Sequence, residues 1–406
     1  MKCGLLGEKL GHSYSPAIHG MLADYEYRLY ERAPEAVEDF LLHGDWDGLN
    51  VTIPYKKTVL PYCDELSGRA RSIGSVNTLV RRADGTIFGE NTDACGFEKL
   101  IARAGIGVQG KKALVLGSGG ASVMAVEVLR SLGAASVTVI SRHGEDNYEN
   151  LSRHADAQLI VNTTPVGMYP KNGDAAVDLL DFPRCEGVLD VVYNPARTAL
   201  LLQAERLGIK HAGGLYMLVA QAKRSCELFT GRAIPDGEID RIERTLSASM
   251  QNIVLIGMPG CGKSTVGALL AEKLGRPLRE ADAEIAAAAG MSIPEIFAIG
   301  GEASFRQKET ACLAELGKLS GAVISTGGGC VTREGNYDLL HQNGVIFWLQ
   351  RDLKVLPKEG RPLSLRNDLR EMYERRRPLY ERFADHVIDN NGSLEETVGR
   401  IMEVLG

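Results

Sequence analysis

The sequence predicts an α/β chain that is divided into two or three domains. Its 406 residues exceed what a single hydrophobic core usually serves. Two distant segments, beginning near residues 111 and 252, each contain an apolar strand, a glycine-rich turn and a helix, in that order. Such a unit is typical of a parallel sheet that is covered by helices. We therefore expect a parallel sheet in each of two domains.

Composition and charge exclude several classes of protein. The chain is 44% hydrophobic and 24% charged, as ordinary globular domains are. Its formal charge of −6 gives no general attraction to nucleic acid or to an anionic membrane, so we expect neither as a partner. No stretch reaches the ~18 apolar residues of a membrane span, and we expect no signal peptide. The eight cysteines lack metal-binding spacing, which favours reduced thiols and a cytoplasmic location.

The first glycine-rich turn has the pattern of a dinucleotide-binding loop. It follows the apolar run 113–116 and precedes a segment, 121–132, whose apolar residues recur at helical spacing. Glycines in such loops let the backbone approach a pyrophosphate, and the helix N-terminus offers free N–H groups. The predicted cofactor-binding residues of this loop are Gly117, Gly119, Gly120 and Ala121.

The residues after the second strand of this unit indicate which dinucleotide is bound. Enzymes that use NAD place an acidic residue there for the ribose 2′-hydroxyl, whereas this chain has Arg142. A guanidinium pairs well with a 2′-phosphate, so the sequence favours NADP. The loop then turns acidic at Glu145 and Asp146, which leaves NAD open as an alternative.

Three loops that precede this unit carry polar and charged groups that could hold a substrate or supply a proton. Ser13 and Ser15 present two hydroxyls that can hold a carboxylate. Lys56 follows an apolar strand, and Asp93 ends the stretch Asn91-Thr92-Asp93. An enzyme that uses a nicotinamide cofactor must supply a proton and hold its substrate, and these loops offer groups for both tasks. Each loop taken singly is more often a solvated loop than a site.

These loops and the glycine-rich turn together resemble the shikimate dehydrogenase family, over essentially residues 4 to 245. The elements Ser-x-Ser-Pro, Asn-Val-Thr-x-Pro-x-Lys, Val-Asn-Thr, Asn-Thr-Asp and Gly-x-Gly-Gly-Ala occur in that order, and a late element follows at 214–221. The resemblance implies a two-domain dehydrogenase with a Rossmann domain for NADP.

The resemblance also implies a role for individual residues. Lys56 and Asp93 would form the catalytic pair. This role is chemically suitable, because reduction of a ketone leaves an alkoxide that needs a nearby cation or acid, and a carboxylate can steady the lysine. The residues implied for binding the substrate are Ser13 and Ser15 at its carboxylate, and Thr52, Asn77 and Gln221 at its ring hydroxyls. The residues implied for the cofactor side of the site are Tyr193 and Gly214.

The second glycine-rich turn fills the pattern Gly-x4-Gly-Lys-Ser of a P-loop, over residues 257–264. Backbone amides of a P-loop cradle the phosphates, its lysine reaches the β and γ oxygens, and its hydroxyl binds Mg²⁺. The pattern therefore predicts phosphoryl transfer from ATP with Mg²⁺. The residues predicted to bind the nucleotide or its metal are Gly260, Gly262, Lys263, Ser264 and Thr265.

Several short elements follow the P-loop in order: Asp282, Phe305-Arg306, Gly327-Gly328-Gly329, Arg361-Pro362-Leu363 and Arg376-Arg377-Pro378-Leu379-Tyr380. In their order and rough spacing they resemble the shikimate kinase family, over about residues 252 to 405. The resemblance implies that Asp282 contacts the reacting hydroxyl and that Arg361, in a lid, stabilises the transferring phosphoryl group. It assigns the substrate carboxylate pocket to Arg306, Gly328 and Arg376. Glu280 stands where the family usually has the first aspartate of Asp-x-Asp, and we expect it to be a metal ligand. The stretch between Trp348 and Arg361, which leads into the lid, is shorter than is usual in this family.

We expect the following division of the chain. A dehydrogenase occupies 1–246, with a substrate domain at about 1–98 plus 214–246 and a Rossmann domain at about 99–213. A linker at 247–251 leads to a P-loop kinase domain with a parallel sheet at 252–406.

The two resemblances imply consecutive reactions of the shikimate pathway. The first would reduce 3-dehydroshikimate to shikimate with NADPH, and the second would phosphorylate shikimate to shikimate 3-phosphate with ATP. Two alternatives stay open: a quinate/shikimate-type NAD dehydrogenase fused to a small-molecule kinase, and a non-catalytic ligand-sensing regulator. A regulator would be expected to lose Lys56, Asp93 or Lys263, and all three are present. A homodimer is an open alternative for the assembly.

Overall fold

The computed structural model describes residues 1–11, 13–356 and 369–406. The chain divides into two compact units, Met1–Thr245 and Leu246–Gly406. Strands and helices alternate in both units, so the α/β class predicted from the sequence is confirmed.

The first unit begins with a mixed sheet of strand order β2-β1-β3-β5-β6-β4. Its strands are β1 (Lys2–Gly7), β2 (Glu26–Glu31), β3 (Gly48–Val51), β4 (Glu65–Leu66), β5 (Thr78–Arg81) and β6 (Ile87–Glu90). Strand β1 is parallel to β2 and β3, whereas β5 is antiparallel to β3 and β6. The helices of this part of the chain are α1 (Ser15–Leu22), α2 (Val37–His43), α3 (Gly68–Ile73) and α4 (Thr92–Arg103).

The second sheet of this unit is parallel throughout, with the order β11-β10-β9-β7-β8. Its elements are β7 (Lys112–Leu116), α5 (Gly120–Ser131), β8 (Ser136–Ile140), β9 (Leu159–Asn162), β10 (Gly187–Asp190), α6 (Ala199–Arg206) and β11 (Lys210–Ala212). Successive strand residues point to opposite faces. Ala113 and Val115 accordingly join one buried cluster, and Leu114 and Leu116 join another. Both faces are therefore covered, as the continuous apolar run predicted.

The helix α7 (Leu215–Thr230) returns from the second sheet to the first part of the unit, where it packs against α1 and α4. A Cβ at Gly96 of α4 would lie 2.6 Å from the carbonyl oxygen of Met217, so only glycine permits this close approach. The packing fixes α7 beside the start of α4.

The helix α8 (Gly237–Met250) includes most of the predicted linker. Residues 247–250, predicted as linker, are helical instead. The reason is a helical spacing of buried apolar residues, which the intervening serines and alanine do not interrupt. These buried residues are Ile239, Ile242, Leu246 and Met250.

The second unit contains a parallel sheet of order β13-β14-β12-β15-β16. Its strands are β12 (Asn252–Ile256), β13 (Leu278–Glu280), β14 (Val323–Ser325), β15 (Gly344–Gln350) and β16 (His386–Asp389). Its helices are α9 (Lys263–Leu274), α10 (Ala281–Ala289), α11 (Ile293–Leu316), α12 (Asn336–His341), α13 (Leu369–Phe383) and α14 (Leu394–Leu405). The helix α11 is kinked at Gly301, whose φ is 66°.

Among the described helices, none taken alone is long and apolar enough to cross a membrane. The pair α10 and α11 reaches that length and hydropathy only together, and it is bent by 91°.

Candidate active sites

Lys56 and Asp93 form an ion pair in the first unit. Lys56 lies in the loop after β3, and Asp93 lies in the first turn of α4, which Asn91 caps. The Lys56 Nζ lies 2.5 Å from Asp93 Oδ2, and the two side chains are 28% and 19% exposed. The pair is thus sheltered but still accessible to a ligand. The structure brings together two groups that are 37 residues apart in the sequence.

The predicted ring-binding amides lie beside each other. Asn77 precedes β5 and is 3% exposed, and its Nδ2 lies 3.5 Å from the Oε1 of Gln221 on α7. Its Oδ1 accepts a hydrogen bond of 2.7 Å from the backbone N–H of Thr92. That bond fixes the orientation of the Asn77 amide, because the oxygen can no longer exchange places with the nitrogen. Thr52 follows β3 directly and is partly buried.

Ser13 and Ser15 lie at the start of α1. The Ser13 Oγ accepts a hydrogen bond of 3.2 Å from the backbone N–H of Ser15. Ser15 is 8% exposed, whereas Ser13 is more accessible. The ring of Tyr14, between them, meets the ring of Tyr193 edge to face at a centroid distance of 6.0 Å. Through this contact, the serine loop lies next to the loop that follows β10.

The dinucleotide loop leaves room for a pyrophosphate at the start of α5. A Cβ at Gly119 or Gly120 would meet no atom within 4 Å, so this side of the loop is open. Gly117 has a φ of 106°, which favours glycine. Ala121 belongs to the first turn of the helix, and Ser122, at the third fingerprint position, is only 2% exposed. A small residue is needed there because the helix start packs closely.

Arg142 is exposed just beyond the end of β8. Within the same loop, Asp146 Oδ1 lies 2.7 Å from the Nε2 of His154, so one of the acidic side chains is already engaged. Gly214 precedes α7, and a Cβ on it would lie 2.1 Å from the carbonyl oxygen of Val191. Close backbone packing therefore requires Gly214 to be a glycine, whether or not it touches a cofactor.

A buried carboxylate, Asp190, supports the loop that carries Tyr193. Asp190 is 0% exposed and accepts hydrogen bonds from Asn162 Nδ2, the Val192 N–H and Thr198 Oγ1, at 3.0, 3.0 and 2.7 Å. Burial raises its pKa to about 6, even though the three hydrogen bonds act in the opposite direction.

In the second unit, the P-loop connects β12 to α9. Lys263 is 8% exposed, and its Nζ donates to the carbonyl oxygens of Gly257 and Met258 at 3.0 and 3.1 Å. Gly260 and Gly262 have φ angles of 83° and 97°, which favour glycine. Backbone turns of this kind occur where successive N–H groups form an anion-binding concavity.

A cavity of about 620 Å³ joins the P-loop to the predicted substrate pocket. Its walls include every kinase residue predicted from the sequence except Arg361, which lies outside the described residues. These lining residues are Gly260, Gly262, Lys263, Ser264, Thr265, Glu280, Asp282, Arg306, Gly328 and Arg376. The phosphate loop therefore opens into the same space as the two predicted carboxylate-binding arginines.

The two arginines of the cavity are held differently. Arg306 Nη1 lies 2.6 Å from Oε2 of Glu309, and Arg306 Nη2 lies 3.2 Å from Oε1 of Glu302. Arg376 is 2% exposed, and its Nη1 donates to the carbonyl oxygen of Gly328 at 3.1 Å. Burial opposes the charge of Arg306, but the two carboxylates outweigh burial and raise its pKa. A carboxylate ligand would therefore meet a guanidinium that is firmly charged.

The metal ligands predicted for the kinase are a hydroxyl and a carboxylate, Ser264 and Glu280. Both line the cavity, and oxygen ligands of this kind suit Mg²⁺. The described chain contains no cluster of three or more His, Cys, Asp or Glu that could hold a metal ion by itself. A Mg²⁺ ion here would therefore take its other ligands from phosphate and water, as Mg²⁺ usually does.

Comparisons with known proteins show which families the two units resemble. Residues 5–79 match the shikimate dehydrogenase substrate binding domain, and residues 259–406 match shikimate kinase. The shikimate dehydrogenase (NADP(+)) of Clostridium perfringens strain SM101 is 36% identical over 250 residues, or 56% of this chain and 92% of that protein. The chain belongs to the shikimate dehydrogenase family. It is a fusion, because the shikimate kinase match occupies the second unit.

Solved structures resemble the shikimate dehydrogenase unit. A chorismate mutase/shikimate 5-dehydrogenase fusion protein from Clostridium acetobutylicum is 36% identical, with a TM-score of 0.57, and the match covers 60% of this chain and 96% of that one. Shikimate 5-dehydrogenase from Thermus thermophilus, in complex with NADP(H) and shikimate, is 30% identical, with a TM-score of 0.55 and coverage of 60% and 99%.

The sequence did not reveal a buried polar network behind the shikimate dehydrogenase site. Ser225 of α7 is 0% exposed, and its Oγ lies 2.7 Å from Asn50 Nδ2, 3.0 Å from Thr92 Oγ1 and 2.9 Å from Thr78 Oγ1. Thr92 Oγ1 in turn lies 3.3 Å from the Oε1 of Gln221. Asn50 and Thr92 lie within the quoted motifs, but no sequence signal points to Ser225. Glu309 of the shikimate kinase unit was missed for the same reason.

Proposed function

We propose that this bifunctional enzyme catalyses two consecutive reactions. Its first unit reduces 3-dehydroshikimate to shikimate with NADPH, and its second unit phosphorylates shikimate to shikimate 3-phosphate with ATP. The observation that carries the proposal is the presence, in one chain, of a sheltered Lys56–Asp93 pair and of a P-loop that shares a cavity with Arg306 and Arg376.

In the reduction, the bound NADPH supplies the hydride that adds to the carbonyl carbon. Lys56 donates a proton to the carbonyl oxygen, where negative charge develops. Asp93 holds the ammonium in place through its 2.5 Å contact. The amides of Asn77 and Gln221, with the Thr52 hydroxyl, orient the ring hydroxyls. Ser13 and Ser15 hold the substrate carboxylate. Because the substrate is then bound in one orientation, Lys56 donates its proton to the ketone oxygen only.

In the phosphorylation, the shikimate hydroxyl attacks the γ-phosphorus of ATP, and ADP leaves. Asp282 accepts the proton of the attacking hydroxyl. Arg306 and Arg376, which line the same cavity as the P-loop, pair with the substrate carboxylate and thereby position the reacting hydroxyl. Lys263 moves from the carbonyl oxygens of its own loop to the phosphates, where it balances the developing charge. Arg361 is proposed to contribute from the lid.

The chain offers a fitting set of groups for each nucleotide. The open glycines at the start of α5 suit the pyrophosphate of NADP, and Arg142 suits its 2′-phosphate. Tyr193 is proposed to line the cofactor side of the site. Ser264 and Glu280 provide oxygen ligands for the Mg²⁺ of ATP. We also infer a cytoplasmic location, where both nucleotides are abundant and thiols stay reduced.

The proposal is tested with the purified full-length chain in two assays. We expect NADPH oxidation that depends on 3-dehydroshikimate, and ADP release that depends on shikimate and Mg²⁺. In a single mixture with both nucleotides, 3-dehydroshikimate should be converted to shikimate 3-phosphate. Replacing NADPH by NADH and the substrate by dehydroquinate tests the quinate-type alternative. A protein that binds these ligands without turning them over would be a sensor instead.

A further inference from the structure

We infer that Arg351 is a further nucleotide-binding residue of the kinase unit, which binds the phosphate groups of ATP; the inference rests on the proposed phosphorylation reaction. Arg351 follows β15 directly. Its Nη1 lies 3.4 Å from the point that a Cβ on Gly262 would occupy, and the Nδ2 of Asn390 lies equally close to that point. The guanidinium therefore reaches the residue of the P-loop that immediately precedes α9.

The local charges make this position unfavourable for an arginine unless an anion binds there. The N-terminus of α9 carries partial positive charge, and Lys263 adds a full positive charge at its first residue. Arg351 is partly buried, and its Nε is enclosed without a hydrogen-bond partner. Because a buried donor without a partner costs free energy, such groups are normally satisfied by a ligand or water. A phosphate would satisfy both the charge and the donor.

Other arginines of the same unit show what an ordinary structural role looks like. Several pair with a carboxylate, as in Arg279–Glu284, Arg377–Glu381 and Arg382–Glu334. Within the described part of the chain, Arg351 has no such ion pair. The neighbouring Asn390 is already engaged, since its amide donates to the carbonyl oxygen of Cys261 and accepts from Thr397. Of the two side chains near Gly262, Arg351 is therefore the one with a hydrogen-bond donor, its Nε, that has no partner.

A phosphate is the ligand class that this geometry favours. P-loop amides, including that of the residue before the lysine, hold phosphate oxygens. The Arg351 Nη1 lies 3.4 Å from the point that a Cβ on Gly262 would occupy, so the guanidinium is within reach of a phosphate held by the loop. A guanidinium can donate two parallel hydrogen bonds to such a phosphate. Contact with the adenine base instead is an outcome that the experiment can detect.

The test uses full-length variants and isothermal titration calorimetry. Arg351→Met removes the charge but keeps a side chain of similar length. Arg351→Lys keeps the charge but lacks the two parallel N–H donors of a guanidinium. The matched control is Arg375→Met, which removes the same charge from an exposed position on α13. The titrants are a non-hydrolysable ATP analogue with Mg²⁺, inorganic tripolyphosphate, adenosine and shikimate.

We expect the Kd of the ATP analogue and of tripolyphosphate to rise about 10-fold or more in Arg351→Met and by less in Arg351→Lys. Shikimate affinity, NADPH oxidation and the control variant should match the wild type. If Arg351→Met and Arg351→Lys both bind the analogue as the wild type does, the inference is wrong. A loss confined to adenosine would overturn the phosphate assignment. If Arg351→Met fails to fold, Arg351→Lys alone provides the test. If this variant binds the ATP analogue with wild-type affinity at raised ionic strength, the inference is wrong. A wild-type chain that does not bind the analogue would instead refute the proposed kinase reaction itself.

Discussion

The carboxylate of Glu309 offers a sharp test of how the kinase pocket is held together. Glu309 is 0% exposed and lies 2.6 Å from Arg306, whose side chain is 8% exposed. Glu302 contacts the same guanidinium at 3.2 Å, but its side chain is 51% exposed. The substitutions Glu309→Gln and Glu302→Gln therefore remove the same charge from the same partner, at very different burial.

Burial determines the expected magnitudes. Removal of one partner of a buried ion pair costs about 3–5 kcal/mol, and we expect about 3 kcal/mol for Glu309→Gln, because Glu302 and the new amide oxygen still contact Arg306. An exposed pair contributes less than about 1 kcal/mol, which is the limit for Glu302→Gln. At roughly 2–4 °C per kcal/mol for a unit of this size, the midpoint of unfolding should fall by about 6–12 °C in the first variant. The second should fall by no more than about 4 °C.

The assay is differential scanning calorimetry of the full-length chain, with and without saturating shikimate. Residual kinase and dehydrogenase activities after heating assign the transitions, and the dehydrogenase transition serves as an internal control. Because the substrate carboxylate would replace the missing partner of Arg306, shikimate should raise the midpoint of Glu309→Gln more than that of the wild type. Equal losses in the two variants would refute the argument from burial. If shikimate leaves the difference in unfolding midpoint between Glu309→Gln and the wild type unchanged, Arg306 does not bind the substrate carboxylate.

Four further outcomes are expected. Lys56→Ala should lower dehydrogenase turnover by ~100-fold or more while shikimate phosphorylation persists, since a positioned proton donor contributes that much; near-normal NADPH oxidation would contradict its role. Arg142→Ala should reduce the preference for NADPH over NADH by about 10-fold, measured as the ratio of kcat/KM values; an unchanged ratio would assign the 2′-phosphate to another residue. Asp190 has a pKa raised to about 6, so its stabilising contribution is complete below the unfolded pKa of ~3.9 and is lost as the pH rises through 6. Asp190→Asn should therefore lose less free energy of unfolding between pH 5 and pH 7 than the wild type, in urea titrations, and an equal loss would place the titration elsewhere. A kinase fragment 246–406 should be more stable than 250–406, because Arg276 donates to the carbonyl oxygen at position 248 and the shorter fragment lacks it; equal melting midpoints would show that this contact is dispensable.

The sequence by itself determined the features that depend on local chain order. Continuous apolar runs such as 113–116 predicted doubly covered strands, since both faces of a parallel sheet are buried. The P-loop pattern at 257–264 predicted a strand, a phosphate loop and a helix, because its glycines are needed for conformations that other residues rarely adopt. The order of several short motifs predicted both families. The prediction of a linker at residues 247–250 was based on composition, and serine and alanine are compatible with both a linker and a helix.

Only the tertiary structure decided which distant groups meet. Asn50 and Ser225 are 175 residues apart in the chain, yet their side chains share a hydrogen bond behind the substrate site. Glu309 resembles any glutamate of a charged helix until packing buries it against Arg306. Arg351 likewise lies near Gly262 only because β15, the strand before it, pairs with β12, the strand before the P-loop. The physical reason is that hydrogen bonding and burial depend on the packing of whole elements, whereas a sequence pattern reports only the propensity and spacing of neighbouring residues.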